Sequence, residues 1–166
     1  MKYLTRKMLA EALQNAASSS DQDYLLIQLL AKSGMRIGEV VKLTPMDVIF
    51  DEEQLIVRGK GNRIRHVDVP GELIMLLKVY VTNHKLKITD PFFPLTARAL
   101  RYRVKQLADI NPHAFRHTYA INLLKTTQNI RYVQKQLGHT NLQTTGIYLQ
   151  FIDFSEEKSK LGELYI

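Results

Sequence analysis

The feature that most restricts the fold is a nearly unbroken apolar stretch early in the chain. Residues 24–30 read YLLIQLL, so a helix over Asp21–Ser33 would be apolar almost all round. A helix of this kind is stable only when other elements cover it on all sides. We therefore expect a buried central helix that ends at Gly34, where a left-handed backbone conformation needs no Cβ.

The rest of the pattern predicts further helices and one small β-meander. Thr5 is suited to cap a first helix, and a third helix should run from Ile37 to Leu43 because Thr44-Pro45 then stops it. Turn-forming stretches separate three predicted strands at residues 48–50, 54–58 and 63–69. Later helices are predicted at residues 71–85, 97–108, 112–126, 130–137, 141–149 and 156–164. Asn111 is the expected N-cap of the helix at 112–126, and Thr140 and Ser155 are the expected caps of the last two helices. The expected fold class is α+β, mainly α-helical: a helical bundle with a small three-stranded antiparallel sheet.

Composition narrows the class of partner. The chain of 166 residues has 23 Lys and Arg against 16 Asp and Glu, and its net charge of +7 favours polyanions, nucleic acid first and an anionic membrane second. A chain of this length is most simply one domain, residues 1–166. The sequence contains no cysteine, no secretory signal and no apolar run near the roughly 20 residues that span a bilayer. We expect a cytoplasmic protein without a disulfide, a thiolate nucleophile or a cysteine-based zinc site.

Clustered positive charge raises the expectation of a nucleic-acid partner. One cluster lies on the predicted hairpin and the other on the helix at residues 97–108. The DNA-binding candidates in these clusters are Arg58, Arg63, Arg65, Arg98, Arg101 and Arg103. The alternative is a merely basic domain whose surface charges are solvated.

The stretch HAFRH at residues 113–117 places His113, Arg116 and His117 on one helix face. Histidines at i and i+4 can bind zinc, but position 114 lacks the glutamate of the metalloprotease motif and no nearby thiol or carboxylate completes a site. An arginine between two histidines is better suited to phosphate, since a guanidinium donates two hydrogen bonds to an oxyanion. An exposed basic helix face is the alternative interpretation.

Four more side chains have chemistry that suits a phosphodiester. Arg36 lies near a helix start, where Glu39 can brace it, and Lys60 lies at the tip of a glycine-flanked hairpin. His139 follows Leu-Gly, and Tyr148 follows a polar stretch able to present it to solvent. Taken singly, these residues have ordinary alternatives: a surface arginine, a solvated turn lysine, a helix C-cap and a packing tyrosine.

In this order and spacing the motifs resemble the catalytic domain of the tyrosine recombinase (phage integrase) family, and its Xer-like members in particular. GMRIGE at residues 34–39 resembles the first arginine box, GKGN at 59–62 the β-hairpin lysine, and HAFRHTYA at 113–120 the HxxRH box. LGH at 137–139, with Tyr148 nine residues later, resembles the C-terminal box and nucleophile. The similarity covers essentially the whole chain and implies the tyrosine recombinase catalytic-domain fold.

The resemblance also implies site-specific DNA cleavage and rejoining without a metal or cofactor. Tyr148 would attack a phosphodiester and form a 3′-phosphotyrosyl link that preserves the bond energy for religation. Arg36 and Arg116 would bracket the phosphate oxygens. Lys60 would protonate the departing 5′ oxygen, and His113 would accept the phenol proton.

The resemblance further implies that His139 would hydrogen-bond the phosphate, while Glu39 and His117 would orient Arg36 and the helix face. The implied partners are double-stranded DNA and further copies of the protein, as a tetramer on paired sites, although the isolated domain could be a monomer; no membrane is implied. From the same resemblance we expect this chain to comprise the catalytic domain without the N-terminal core-binding domain of the family.

Two alternatives stay open. The first is a catalytically silent DNA-binding helical domain related to integrases. The second is an RNA-binding or partner-binding basic bundle, which explains the charge but not the ordered series of arginines, lysine, histidines and tyrosine. In the family the C-terminal tail often docks on a neighbouring subunit, and the apolar tail residues here can do so or fold back in cis: Phe151, Ile152, Phe154, Leu161, Leu164 and Ile166.

Overall fold

The computed structural model describes residues 1–161. Within that range the helices are α1 Arg6–Ser19, α2 Asp21–Ser33, α3 Ile37–Val40, α4 Gly71–His84, α5 Ala97–Ala108, α6 Pro112–Thr127, α7 Ile130–Leu137, α8 Leu142–Gly146 and α9 Ser155–Ser159. The strands are β1 Val48–Ile49, β2 Gln54–Arg58 and β3 Ile64–Asp68, and short 3-10 helices occupy Pro45–Asp47, Lys60–Asn62 and Ile147–Phe151. The predicted helix end at residue 164, with Leu164 and Ile166, lies outside the described residues.

The centre of the molecule is α2, as its apolar run predicts. Leu25, Ile27 and Leu30 have no exposed surface, and α1, α4 and α6 pack around them. The Ser20 side chain caps the start of α2 by accepting a hydrogen bond from the Asp23 amide. Because other elements cover this helix on all sides, its surface is apolar almost all round.

The strands form the predicted antiparallel meander in the order β1-β2-β3. Leu55 of β2 pairs with Val67 of β3, and both side chains are fully buried in the main core. Two residues along, Val57 pairs with Arg65 and brings an arginine to the same buried side of the sheet. The α+β class, mainly helical with a three-stranded antiparallel sheet, is confirmed. Among the residues that the structure describes, no helix combines the length and apolar character of a membrane span.

A second, smaller core joins the C-terminal elements. Its buried members come from α6, α7 and the 3-10 helix that follows α8: Ala120, Ile121, Leu124, Val133, Leu137 and Tyr148. Because Tyr148 belongs to this core, the prediction that the polar stretch before it presents its ring to solvent is wrong for the state described.

One predicted helix is shorter than expected. α3 ends at Val40 rather than Leu43, because the Lys42 and Leu43 amides bond to carbonyls three residues earlier, both at 3.1 Å. That spacing is the tighter 3-10 pattern, which ends α-helical geometry.

The C-terminal boundaries also differ from those predicted. The helix expected at residues 141–149 divides into α8 and a 3-10 helix. Its cap is Asn141 rather than Thr140, since the Asn141 side chain accepts a hydrogen bond from the Gln143 amide. Phe154, not Ser155, stands at the N-cap position of α9.

Candidate active site

A groove of about 1200 Å³ opens between α3, the β2–β3 hairpin, the start of α6 and the end of α7. Four of the predicted catalytic residues line it, although they are far apart in the sequence: Arg36, Lys60, His113 and His139. The other two, Arg116 and Tyr148, do not line the groove, and both are buried. Folding therefore brings four chain segments to one surface and leaves the tyrosine withdrawn.

Arg36 stands at the N-cap position of α3, directly after the turn that ends α2. Its backbone N–H donates to Oε2 of Glu39 at 2.7 Å, and its Nη1 lies 3.4 Å from Oε1 of the same carboxylate. The Glu39 side chain is 5% exposed, whereas that of Arg36 is 45% exposed. A buried carboxylate thus anchors the base of an arginine whose guanidinium reaches the groove.

Arg116 connects the C-terminal ends of two helices from inside the protein. Its Nη1 donates to the Gly34 carbonyl after α2, and its Nη2 donates to the Leu137 carbonyl at the end of α7, both at 2.7 Å. Helix C-termini carry partial negative charge, which favours a cation there. Burial, and then the neighbouring charge of Arg36, lower the pKa of Arg116 to about 10. The guanidinium consequently stays charged at neutral pH.

His139 is held as a neutral imidazole with a defined tautomer. Its Nε2 lies 3.1 Å from Nη2 of Arg116, and because a guanidinium only donates, Nε2 must accept. The proton is therefore on Nδ1, which donates to Oγ1 of Thr145 at 2.9 Å. Burial, followed by the charges of Arg116 and Arg36, lowers the pKa of His139 to about 4. Thr145 is fully buried, and no feature of the sequence singled it out.

The phenol of Tyr148 is 1% exposed, and its hydroxyl lies 2.8 Å from Nδ1 of His117. Burial raises the pKa of Tyr148, and the charges of Arg116 and Arg36 only partly offset that rise. Burial, followed by the charge of His113, lowers the pKa of His117. At neutral pH the phenol therefore donates to a neutral imidazole. The sequence-based expectation placed His113 beside the phenol, but the geometry places His117 there.

The N-terminal segment covers the residues around the tyrosine. The Leu4 amide donates to Oγ1 of Thr118, the neighbour of His117, at 2.7 Å. The Tyr3 ring packs edge-on against Phe151, with ring centroids 5.4 Å apart. The N-terminal segment thus contacts both α6 and the 3-10 helix Ile147–Phe151 that carries Tyr148.

Lys60 and His113 are both exposed and both line the groove, Lys60 from the hairpin tip and His113 from the start of α6. Gly61, with a φ of 69°, makes the tight turn that carries Lys60. In residues 1–161, neither side chain has a hydrogen-bond or ion-pair partner. Both are therefore available to a ligand in the groove.

Four of the predicted DNA-binding arginines line the groove: Arg58, Arg63, Arg65 and Arg101. Arg98 is exposed on the same helix as Arg101. Arg58 also forms an ion pair with the buried Asp47 at 2.8 Å.

Arg65 and Arg103 each form an ion pair with a buried carboxylate, as Arg58 does, and their contact with DNA stays a prediction. Nη1 of Arg65 lies 2.6 Å from Oε1 of Glu39, and Nη2 of Arg103 lies 2.8 Å from Oδ1 of Asp23. Arg65 shares the core-facing side of β3 with Val67, because alternate residues of a strand point the same way. Charge clustering in the sequence does not reveal such partners.

Three further basic residues of the groove escaped the sequence prediction: Lys42, Arg131 and Lys135. The last two are four residues apart on α7, a spacing that places both on one helix face. That four-residue spacing was the sequence signal that could have indicated a basic helix face here. Among the described residues, no cluster of three His, Asp or Glu side chains could hold a metal ion.

Known proteins share both the sequence pattern and the fold. A model of the Phage integrase family matches residues 2–153. Tyrosine recombinase XerA of Thermococcus onnurineus is 31% identical, over 98% of this chain and 64% of its own length. Tyrosine recombinase XerC of Bacillus subtilis is 32% identical, over 89% of this chain and 56% of its own length. The chain therefore spans less than two thirds of the length of these curated relatives.

A solved structure agrees with these sequence matches. The crystal structure of XerA recombinase superposes with a TM-score of 0.79 at 26% identity, over 98% of this chain and 65% of that chain. The predicted tyrosine recombinase catalytic-domain fold is thereby confirmed.

Proposed function

Because this chain belongs to the phage integrase family, we propose that residues 1–166 act as the catalytic domain of a site-specific DNA recombinase. The domain would cleave and rejoin DNA through a covalent 3′-phosphotyrosyl intermediate. The observation that carries the proposal is the convergence of Arg36, Lys60, His113 and His139 on one groove. A tyrosine–histidine hydrogen bond lies within electrostatic reach of the buried Arg116 and of Arg36 in that groove.

The proposed reaction is a transesterification in which bonds and protons balance. The phenol oxygen of Tyr148 forms a bond to phosphorus, and the bond from phosphorus to the 5′ oxygen breaks. The phenol proton passes to Nδ1 of His117, and Lys60 supplies a proton to the departing oxygen. Rejoining reverses these steps, so the phosphodiester energy is conserved and no nucleoside triphosphate is required.

The negative charge that develops on the phosphate oxygens is the main contribution to the activation barrier, and the site must stabilise that charge. The transition state gains negative charge on the non-bridging oxygens, where the guanidinium of Arg36 can donate hydrogen bonds. Arg116 contributes a fixed positive charge beneath the groove. One well-placed donor to such an oxyanion is worth about 3 kcal/mol, which is roughly a hundredfold in rate.

His139 would respond to the substrate. In the state described its Nε2 accepts from Arg116, so that nitrogen cannot also donate to a phosphate. A bound phosphate adds negative charge beside the ring, which raises the pKa of His139 from its value of about 4. Protonated at both nitrogens, His139 would keep its hydrogen bond to Thr145 and donate from Nε2 to the phosphate.

The nucleophile must move before it can react. Tyr148 is withdrawn into the smaller core, where burial opposes ionisation of its phenol. We regard this arrangement as a resting state, from which the short 3-10 helix Ile147–Phe151 shifts along α6 toward the groove and keeps the phenol beside His117. In this scheme His117 takes the proton, and His113, exposed in the groove, donates to the phosphate.

Double-stranded DNA is the proposed partner. Arg58, Arg63, Arg101, Arg131 and Lys135 give the groove a basic lining that would track a phosphate backbone. We further propose that copies assemble on paired DNA sites, as a tetramer during strand exchange. Action on chromosomal or mobile DNA would take place in the cytoplasm.

The test is covalent trapping on a nicked suicide DNA substrate, followed by a denaturing gel. The wild-type chain should form an adduct that Tyr148→Phe abolishes. Tyr102→Phe, the same change at an exposed tyrosine of α5, is the matched control and should form the adduct normally. Because relatives are longer, the chain should also be tested fused to the core-binding domain of an Xer relative, which would supply further DNA contacts.

The outcomes separate the two leading functions. An adduct dependent on Tyr148 supports the recombinase proposal. Duplex binding by the fusion without any adduct contradicts that proposal and favours the catalytically silent DNA-binding domain.

A further inference from the structure

Arg65 lies where three of the segments that form the groove meet. Its guanidinium donates to both oxygens of Glu39, from Nη1 at 2.6 Å and from Nη2 at 3.0 Å. Its Nε donates to the Gln136 carbonyl at 2.9 Å. The side chain is 13% exposed, so it lies largely beneath the surface. One residue of β3 thus bonds directly to α3 and to α7.

On the α3 side, Arg65 supports the carboxylate that holds Arg36. Burial acts to raise the pKa of Glu39, but the hydrogen bonds and charge of Arg65, with the Arg36 amide, outweigh it, and the net shift is downward. Without Arg65 the carboxylate would be a buried charge whose nearest remaining cation is Arg36, at 3.4 Å. A buried carboxylate in that position tends to bind a proton or to turn toward water. Either change removes the anchor of the Arg36 backbone.

On the α7 side, Arg65 fixes the backbone that leads into His139. Its Nε holds the Gln136 carbonyl, and its Cδ packs against Gly138. A Cβ on Gly138 would lie 2.7 Å from that Cδ, so only glycine allows the approach. Gly138 has a φ of 68°, and the residue after it is His139. The position of the imidazole therefore depends on where the Arg65 side chain lies.

We propose that Arg65 is a positioning residue, which sets the distance between Arg36 and His139 by holding Glu39 and the end of α7 together. The inference rests on the proposed function of the groove. An exposed neighbour such as Arg63 is free to contact DNA phosphates, whereas Arg65 directs three of its five N–H donors to Glu39 and Gln136. A lysine cannot replace it, because an ammonium cannot donate to both carboxylate oxygens and to the carbonyl in this planar geometry.

The experiment compares Arg65→Lys and Arg65→Gln with the wild-type protein in single-turnover cleavage of the nicked substrate. We expect both variants to cleave at least about tenfold more slowly, while the DNA dissociation constant changes less than twofold. The slope of log affinity against log salt should stay unchanged, because a lost phosphate contact would reduce it by about 0.9. A reduced slope with an unchanged cleavage rate would overturn the proposal and make Arg65 a DNA contact.

Lys87→Gln is the matched control for charge. Lys87 is exposed in the loop before α5 and does not line the groove, so this variant should cleave and bind as the wild type does. Arg65→Lys keeps the positive charge and is the variant to interpret if Arg65→Gln does not fold. A double mutant with Glu39→Gln should cleave no more slowly than Glu39→Gln alone, because Arg65 acts through that carboxylate. Additive losses would contradict this route.

Two measurements need no DNA and so separate this inference from the proposed function. Carboxyl NMR should show a higher pKa for Glu39 in Arg65→Lys than in the wild type, and amide exchange at Arg36 should become faster. If the wild-type protein never cleaves DNA, the proposed function fails, and these two signals still decide whether Arg65 positions the groove. An unchanged Glu39 pKa together with unchanged Arg36 exchange would overturn the positioning role.

Discussion

Gly34 offers a sharp test of how the groove is built, because it combines an unusual backbone conformation with a close contact. Its φ is 63°, and a Cβ there would lie 2.3 Å from Cδ1 of the Tyr119 ring. Its carbonyl accepts the hydrogen bond from Nη1 of Arg116. Gly34→Ala should therefore strain the turn, displace the ring and disturb the arginine together.

The expected loss of stability follows from three contributions. A left-handed conformation costs an L-residue about 1–2 kcal/mol. Forcing a methyl group into the Tyr119 ring adds about 1–3 kcal/mol, as overpacking generally does. Alanine also lowers the conformational entropy of the unfolded chain, which stabilises the folded state by about 0.4–1 kcal/mol. We expect Gly34→Ala to lower the free energy of unfolding by about 3 kcal/mol, or the melting temperature by roughly 6–12 °C for a chain of this size.

Gly38→Ala is the matched control for this change. Gly38 lies in α3, four residues away, and a Cβ there would meet nothing within 4 Å. Alanine in a helix should be neutral or stabilising by about 0.5–1 kcal/mol. Urea unfolding at neutral pH measures both variants. The reasoning is refuted if Gly34→Ala unfolds within about 0.5 kcal/mol of the wild type, or if the two variants lose equal stability.

Two further predictions concern single side chains of the groove. Lys60→Ala should slow cleavage of ordinary DNA far more than cleavage of DNA with a 5′-bridging phosphorothiolate, whose sulfur leaves without a proton; equal slowing in gel assays of both substrates would remove Lys60 from the acid role. His139 has a folded-state pKa of about 4 against 6.5 for an unperturbed histidine. The unfolded state then binds more protons between these values, so stability from His139 is complete above pH 6.5 and is lost as pH falls toward 4. As pH falls from 6.5 to 4, His139→Asn should lose roughly 2 kcal/mol less free energy of unfolding than the wild type. Parallel curves of unfolding free energy against pH for the two proteins would contradict the assignment.

Local pattern was sufficient to predict most of the fold. The apolar run in α2 required a central helix, and Asn111 followed by Pro112 marked the start of α6 correctly. These features are readable because helices and turns depend mainly on residues within four positions of one another. The predicted boundaries failed where competing hydrogen bonds decide, as at Val40, where 3-10 bonds replace α-helical ones.

The roles of the basic residues were less predictable, since a count of charges does not show where the carboxylates lie. Arg65 is 26 residues from Glu39 in the sequence, and Arg103 is 80 residues from Asp23, yet each pair is in contact. Such pairs depend on how β3 packs beside α3 and α5 beside α2. An exposed arginine and a buried one therefore look alike in the sequence.

The sequence by itself determined which chemical groups are present and, through the order of its motifs, the family to which they belong. The tertiary structure alone decided that Tyr148 lies in the interior, that its hydroxyl meets His117 rather than His113, and that Arg65 joins α3 to α7. The reason is physical: periodicity reflects neighbours along the chain, whereas burial and hydrogen-bond partners arise from segments that meet only when the core forms.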